Sequence, residues 1–378
     1  MLKSFFVLLI FLQSSFTIGA TQDDSKLLSK YFFEITGKPL SLKNPNRDRW
    51  LSMFSNNQQL EVIQEMLKDP GFIDNTSHAW AIRYLNAESS PHLELNDALA
   101  LIIGIIRDER NAKDFLLGNY AYSAGHRLGS GLPSVSSNAG YKEFERRLLS
   151  FNKLSLIPYQ WDVQGFGENA GILTTRWWGE KYYQAGTNRR AVVGLLNVFM
   201  CQPVEAWKTS LLSTKRIRQD VPRDPSNDPR IFQTECRSCH GPMDALAGAF
   251  AHLDFKNNTL VYNRDVSKKY FNNAHTYPEG YKTIDNSWKN LLIVREDLGF
   301  GWGKRVSGKG LVELSQMIVE SDGFGRCLAK RAVSQFCHKN LNLNDPWIQD
   351  LGSKLKSEDS YNLKSLFAEV LLSRNCIN

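Results

Sequence analysis

The sequence predicts a mainly α-helical protein with one short β-hairpin. Three observations carry this expectation. Apolar residues recur at helical spacing along most of the chain, helix-starting and helix-ending residues bracket those runs, and two short extended runs flank Asn257-Asn258.

Asp24 to Gly37 has an apolar face, and Arg47 to Leu67 continues the pattern until Asp69-Pro70-Gly71 stops it. Asn96 to Leu117 carries Ala98, Leu99, Leu101, Ile102, Ile105 and Ile106, with Asn96 as an Asx N-cap and Gly118 as the stop. Gly125 to Ser137 reads as a loop rich in Gly and Ser, and Asn188 to Met200 as a helix with Val192, Leu195, Leu196 and Val198 apolar. Residues 218–230 (RQDVPRDPSNDPR) combine proline and aspartate without apolar periodicity, the mark of a linker or long loop. Residues 252–264 (HLDFKNNTLVYNR) form the hairpin, and Asp265 to Gly310 is a structured irregular stretch. Helices return at Gly310 to Glu320, Asp322 to Asn340, Asp345 to Leu355 and Tyr361 to Arg374. The expected organisation is a signal peptide over 1–20, a helical N-terminal domain over 21–217, the linker over 218–230, and a C-terminal region over 231–378.

The signal peptide follows from Lys3, an apolar run from Phe5 to Ile18, small residues before a cut after Gly19 or Ala20, and an abrupt polar turn at Thr21-Gln22-Asp23-Asp24. That run is short for a bilayer span, and no later segment is long and apolar enough for one. The mature chain is therefore expected to be soluble, in the periplasm or secreted. Its 46 basic and 39 acidic residues give a net charge of +7, spread without a Lys/Arg block, so no nucleic-acid groove is expected. A basic surface speeds the approach of an acidic partner.

Cys236-Arg237-Ser238-Cys239-His240 is a C-x-x-C-H sequence, the attachment signature of c-type haem. Two thiols add to the haem vinyl groups, the two intervening residues give one helical turn, and the histidine then reaches the iron as proximal ligand. The competing readings are a C-x-x-C disulfide or half a zinc site; a zinc site calls for a second close cysteine pair, which is absent. One motif means one covalently attached haem c. Candidates for the sixth ligand are Met317, Met200, Met243, His252 and His275. Met243 lies too close to His240 to reach the opposite face, and Met317 ranks first because it follows the long loop that can wrap the haem edge.

Of the six cysteines, Cys201, Cys327, Cys337 and Cys376 remain, which allow three pairings in an oxidising compartment. Within one helix Cys327 and Cys337 stand about 15 Å apart, too far to bridge. Cys337–Cys376 and Cys201–Cys327 are the expected bonds, with free buried thiols as the alternative.

The segment FQTECRSCHGPMDALAGAFAHLDF resembles the haem region of a broad group of bacterial cytochrome c-like proteins often called planctomycete-type. Their pattern is C-x-x-C-H, then Met-Asp or Ile-Asp, a Gly-containing helix, and Phe-Asp. Met243-Asp244, Gly248 and Leu253-Asp254 occupy those places. Asn188-Arg189-Arg190 through Cys201-Gln202-Pro203 is similar to the helix preceding the haem there. Phe324-Gly325-Arg326-Cys327 with Phe336-Cys337 is similar to the helix after it, and Lys113-Asp114-Phe115 to Tyr120-Ala121-Tyr122 to an upstream segment. Ala245 stands where the family has proline, and Leu253 where it has phenylalanine. The resemblance implies helical bundle regions around a cytochrome c-like haem segment, and it implies no substrate.

Three functions compete. Single-electron transfer to an unidentified redox partner is the default. A haem-dependent redox enzyme such as a peroxidase is the second, although His126-Arg127 lies in a loop and does not read as a distal pair. An envelope binding protein with a structural haem is the third, with Trp177-Trp178 and Tyr182-Tyr183 as groove-lining candidates whose alternative place is the core.

Overall fold

The structure is a computed structural model that describes residues 22–86, 93–123, 134, 136–157, 168–184, 186–207 and 213–377. The signal peptide over 1–20 and most of the Gly125–Ser137 loop, including His126-Arg127, lie outside the described residues.

Helices dominate. The N-terminal run comprises α1 (Gln22–Thr36), α2 (Arg47–Ser55), α3 (Gln59–Met66) and α4 (His78–Asn86), the last entered through a π-helical stretch over Phe72–Ser77. Asn57, at φ 60°, separates α2 from α3, where the sequence reads as one helix. The apolar pattern runs through the break because both pieces face the same core. Next come α5 (Asp97–Arg107) and the short α6 (Asp114–Leu117), split by Glu109 at φ 55° where the sequence again suggests continuity. Asn96 caps α5 as expected: its Oδ1 accepts from Ala98 N and Leu99 N, both at 3.0 Å.

Three further helices follow: α7 (Ala139–Arg146), α8 (Arg176–Tyr182) and α9 (Arg189–Met200). The C-terminal half holds α10 (Pro229–Ile231), α11 (Arg237–Ala247), α12 (Gly310–Glu320), α13 (Asp322–Cys337), α14 (Pro346–Ser357), α15 (Leu363–Leu372) and α16 (Arg374–Ile377).

Three small antiparallel pairs complete the described fold. Strand β1 (Ala121–Ser123) pairs with β2 (Ser155–Ile157), β3 (Leu253–Lys256) with β4 (Thr259–Tyr262), and β5 (Ser287–Lys289) with β6 (Ser307–Lys309). The middle pair is the hairpin read from sequence. Its turn residues Asn257 (φ 48°) and Asn258 (φ 63°) are both left-handed, the conformation asparagine tolerates in a two-residue hairpin. The other two pairs are three residues per strand, too short for alternation to reveal them.

One apolar core runs through the molecule. It joins Leu101 and Ile102 of α5, Leu195 and Phe199 of α9, Leu246 of α11, Leu328 of α13 and Phe367 of α15, so it is continuous across residues 218–230. Trp178, Tyr182 and Tyr183 are buried within it as core packing, while Trp177, also buried, lines a surface pocket together with Arg176, Glu180 and Asn258. Among the described residues no helix is long and apolar enough to cross a membrane.

Candidate functional site

The C-x-x-C-H residues sit where two helix types meet. Asp228 caps the segment by accepting from Arg230 N, and Pro229 takes the first helical position, where a missing N–H costs nothing. A π-helical turn over Phe232–Cys236 then runs directly into α11. The motif is thus preceded by helix and not by the polar loop alone. The loop itself is pinned at its start: Gln219 N donates to Tyr281 O at 3.2 Å and Tyr281 N to Ile217 O at 2.7 Å.

Cys236 and Cys239 are half-buried free thiols, one helical turn apart. Cys236 packs against a separate small cluster of Ile217, Val221, Phe232 and Tyr277. His240 follows on the same turn with its side chain 29% exposed. Its Nδ1 is buried without a hydrogen-bond partner. Two thiols and a partly exposed imidazole on consecutive turns form the donor set that covalent haem uses. Among the described residues no group of three or more His, Cys, Asp and Glu side chains converges to hold a metal ion.

Behind His240 lies a buried charge network that periodicity does not reveal. Asp244, one turn further along α11, has a fully buried side chain with Oδ1 3.6 Å from His240 Nδ1. Arg189, at the start of α9, donates from Nε to Oδ1 and from Nη2 to Oδ2, the latter at 3.1 Å. Arg218 N donates to Oδ2 at 2.9 Å, and the Arg218 guanidinium reaches Asp244 O at 3.1 Å and Thr187 O at 2.9 Å. Asp220 takes Arg189 from the other side at 2.6 and 3.0 Å. Burial alone raises the Asp244 carboxyl, but the His240 imidazole and the Arg189 and Arg218 charges outweigh it and hold the group well below the usual carboxylate range.

Asn188 ties the same region together. Its Nδ2 donates to Phe250 O at 2.7 Å and Leu253 O at 3.1 Å, fastening the start of α9 to the chain that leaves α11. Asp254, in the hairpin, accepts from Ser267 Oγ at 2.8 Å and Lys269 Nζ at 3.2 Å. Asn188, Arg189, Asp244 and Asp254, singled out in the sequence by motif position, therefore all brace the motif helix or the hairpin after it.

The sixth-ligand candidates are dispersed. Met317 is 1% exposed in α12, which packs on α6, α13, β6 and the turn over Gly248–Phe250, and it belongs to the main core. Met200 is buried beside Ser321 Oγ at 3.5 Å, and Met243 packs against the main core. His252 is engaged by the hairpin, with Nδ1 2.9 Å from Asn263 O and its ring stacked on Tyr262. His275 is exposed in the loop after the hairpin. The structure does not gather these residues around His240.

The remaining four cysteines are bonded. Cys201 joins Cys327 and Cys337 joins Cys376, with Cα–Cα distances of 5.3 and 4.9 Å.

No protein-family model, curated protein or solved structure matches the chain.

Proposed function

We propose that this chain carries one haem c on Cys236, Cys239 and His240 and acts as a single-electron carrier in the periplasm or outside the cell. The observation that carries the reading is the contrast among the cysteines. Four are locked in disulfides, while the two free thiols stand one helical turn apart beside a histidine whose side chain is partly exposed. A chain that oxidises its other cysteines leaves such a pair open when the thiols serve another bond.

In this reading Cys236 and Cys239 would hold the haem through thioether bonds, and His240 would be the iron ligand. Bound haem supplies a one-electron couple. The protein's own part is to hold the attachment helix rigid. It does so through the core contacts of α11, the ion pair of Asp244 with Arg189 of α9, and the hydrogen bond that Arg218 N donates to Asp244. The similarity of residues 232–255 to the cytochrome c-like haem segment supports the same reading, as does the exported character of the N-terminus. The partner fits as a protein with an acidic docking face, given the net charge of +7.

The test is the reduced absorption spectrum of full-length protein produced with periplasmic haem-attachment machinery, before and after carbon monoxide. Sharp α and β bands that carbon monoxide leaves unchanged are expected for an electron carrier whose iron is closed to small ligands. A carbon monoxide shift would overturn electron transfer and move the function to chemistry at an open iron site.

A further inference from the structure

His240 Nδ1 is buried without a hydrogen-bond partner, and the carboxylate facing it, at 3.6 Å, belongs to Asp244. The spacing i, i+4 on α11 puts the two side chains on one face of the helix. A carboxylate with no exposed surface is costly unless its oxygens are satisfied. Asp244 meets that demand on the interior side, where Oδ2 accepts from Arg218 N and Arg189 Nη2 and Oδ1 from Arg189 Nε. A carbonyl or carboxylate oxygen takes two hydrogen bonds, so Oδ1 keeps one acceptor position toward His240. Arg189 cannot swing away, because Asp220 holds its outer nitrogens. The negative charge is fixed in place from two separate parts of the chain, the start of α9 and residues 218–220.

Resting on the haem reading above, we propose that Asp244 is the positioning residue behind His240, accepting the Nδ1–H hydrogen bond and lowering the reduction potential of the haem that Nε2 ligates. A neutral imidazole has one N–H; with the Nε2 lone pair committed to the iron, that proton resides on Nδ1 and points at Asp244. The hydrogen bond fixes the tautomer and the rotation of the ring. It also makes the imidazole a stronger donor, which stabilises the more highly charged ferric state. A clamp that only joined α11 to α9 would leave the potential unchanged, so the two roles separate in one measurement.

The experiment is a spectroelectrochemical titration of wild-type and Asp244→Asn holoprotein, after spectra have established covalent haem in both. The amide keeps the size and one acceptor oxygen but removes the charge, and Asp220 still pairs Arg189. The midpoint is expected to rise so that the reduced-to-oxidised ratio at the wild-type midpoint increases about tenfold, equivalent to ~59 mV for a one-electron couple. An unchanged midpoint with haem attached overturns the role of Asp244 while leaving haem binding intact. Should the variant fail to fold, NMR of the ferric wild-type protein reads the same contact. A His240 Nδ1 proton that exchanges slowly with deuterium oxide is expected, and rapid exchange contradicts the proposal. Wild-type protein that attaches no haem removes the haem reading itself.

Discussion

Cys201 and Cys327 are joined across 126 residues, linking the left-handed residue that ends α9 to the first half of α13. Arg331, one turn further along α13, donates to Asn197 O and Val198 O at 3.1 and 3.3 Å, so the bond is buttressed at the same contact. Cross-linking a loop of that length removes about 5 kcal/mol of unfolded-chain entropy, against about 4 kcal/mol for the 39-residue Cys337–Cys376 loop. The double variant Cys201→Ala/Cys327→Ala is therefore expected to lower the urea midpoint more than Cys337→Ala/Cys376→Ala does. Equal midpoints for the two variants would contradict this ordering.

Gly248 ends α11 where β5 crosses it. A Cβ there would stand 2.0 Å from Ser287 O, a backbone atom that cannot turn aside. Gly248→Ala is expected to cost about 1–3 kcal/mol or more through overpacking, read as a fall in denaturant midpoint. A midpoint equal to wild type would mean that β5 does not seat on α11 in solution.

Arg189 serves two carboxylates whose side chains are almost fully buried, those of Asp220 and Asp244. Arg189→Met leaves both without their guanidinium, and breaking a buried pair from one side costs about 3–5 kcal/mol. Arg189→Lys, which keeps the charge but not the fork, is expected to fall between the two. Chemical denaturation of the three proteins checks the order; a methionine variant as stable as wild type contradicts it.

Asp97 gives a pH dependence. Burial pushes its carboxyl up to about 6, although Arg176 N, Trp177 N, the Asn138 amide and Ala98 N all donate to it. An acid whose folded value lies above its unfolded value binds its proton more tightly in the native state. Its contribution is fully present below pH ~4 and is lost as pH rises through 6, by about 3 kcal/mol. Carbon-13 NMR of the Asp97 carboxyl is expected to show a midpoint near 6. A midpoint at 4 or below would show that the four donors outweigh burial.

Much of the fold is legible because single helices carry their own signals. The α12 helix spans Gly310–Glu320 as its apolar spacing indicates, and Asn96 caps α5 with the residue type that begins a helix. The breaks at Asn57 and Glu109 are hidden, since left-handed residues interrupt the backbone without interrupting the apolar stripe. The short α8 helix is organised from a distance, because Asp97 of α5 accepts from Arg176 N and Trp177 N at its start. At the candidate site, Cys236, Cys239 and His240 are visible as a contiguous motif. The support behind them is not: Arg189, Arg218, Asp220 and Asp244 are scattered along the chain and meet only through packing. The sequence displays Arg189 and Asp244 only as motif positions, together with the i, i+4 spacing of His240 and Asp244; it does not display that Arg218 and Asp220 join them.

Intact mass under denaturing conditions tests the central claim most directly, comparing full-length protein with Cys236→Ala/Cys239→Ala after production with the haem-attachment machinery. The expected result is one covalently retained haem per wild-type chain and none on the variant. A wild-type chain that carries no haem, or a variant that keeps it, would contradict attachment at these two cysteines.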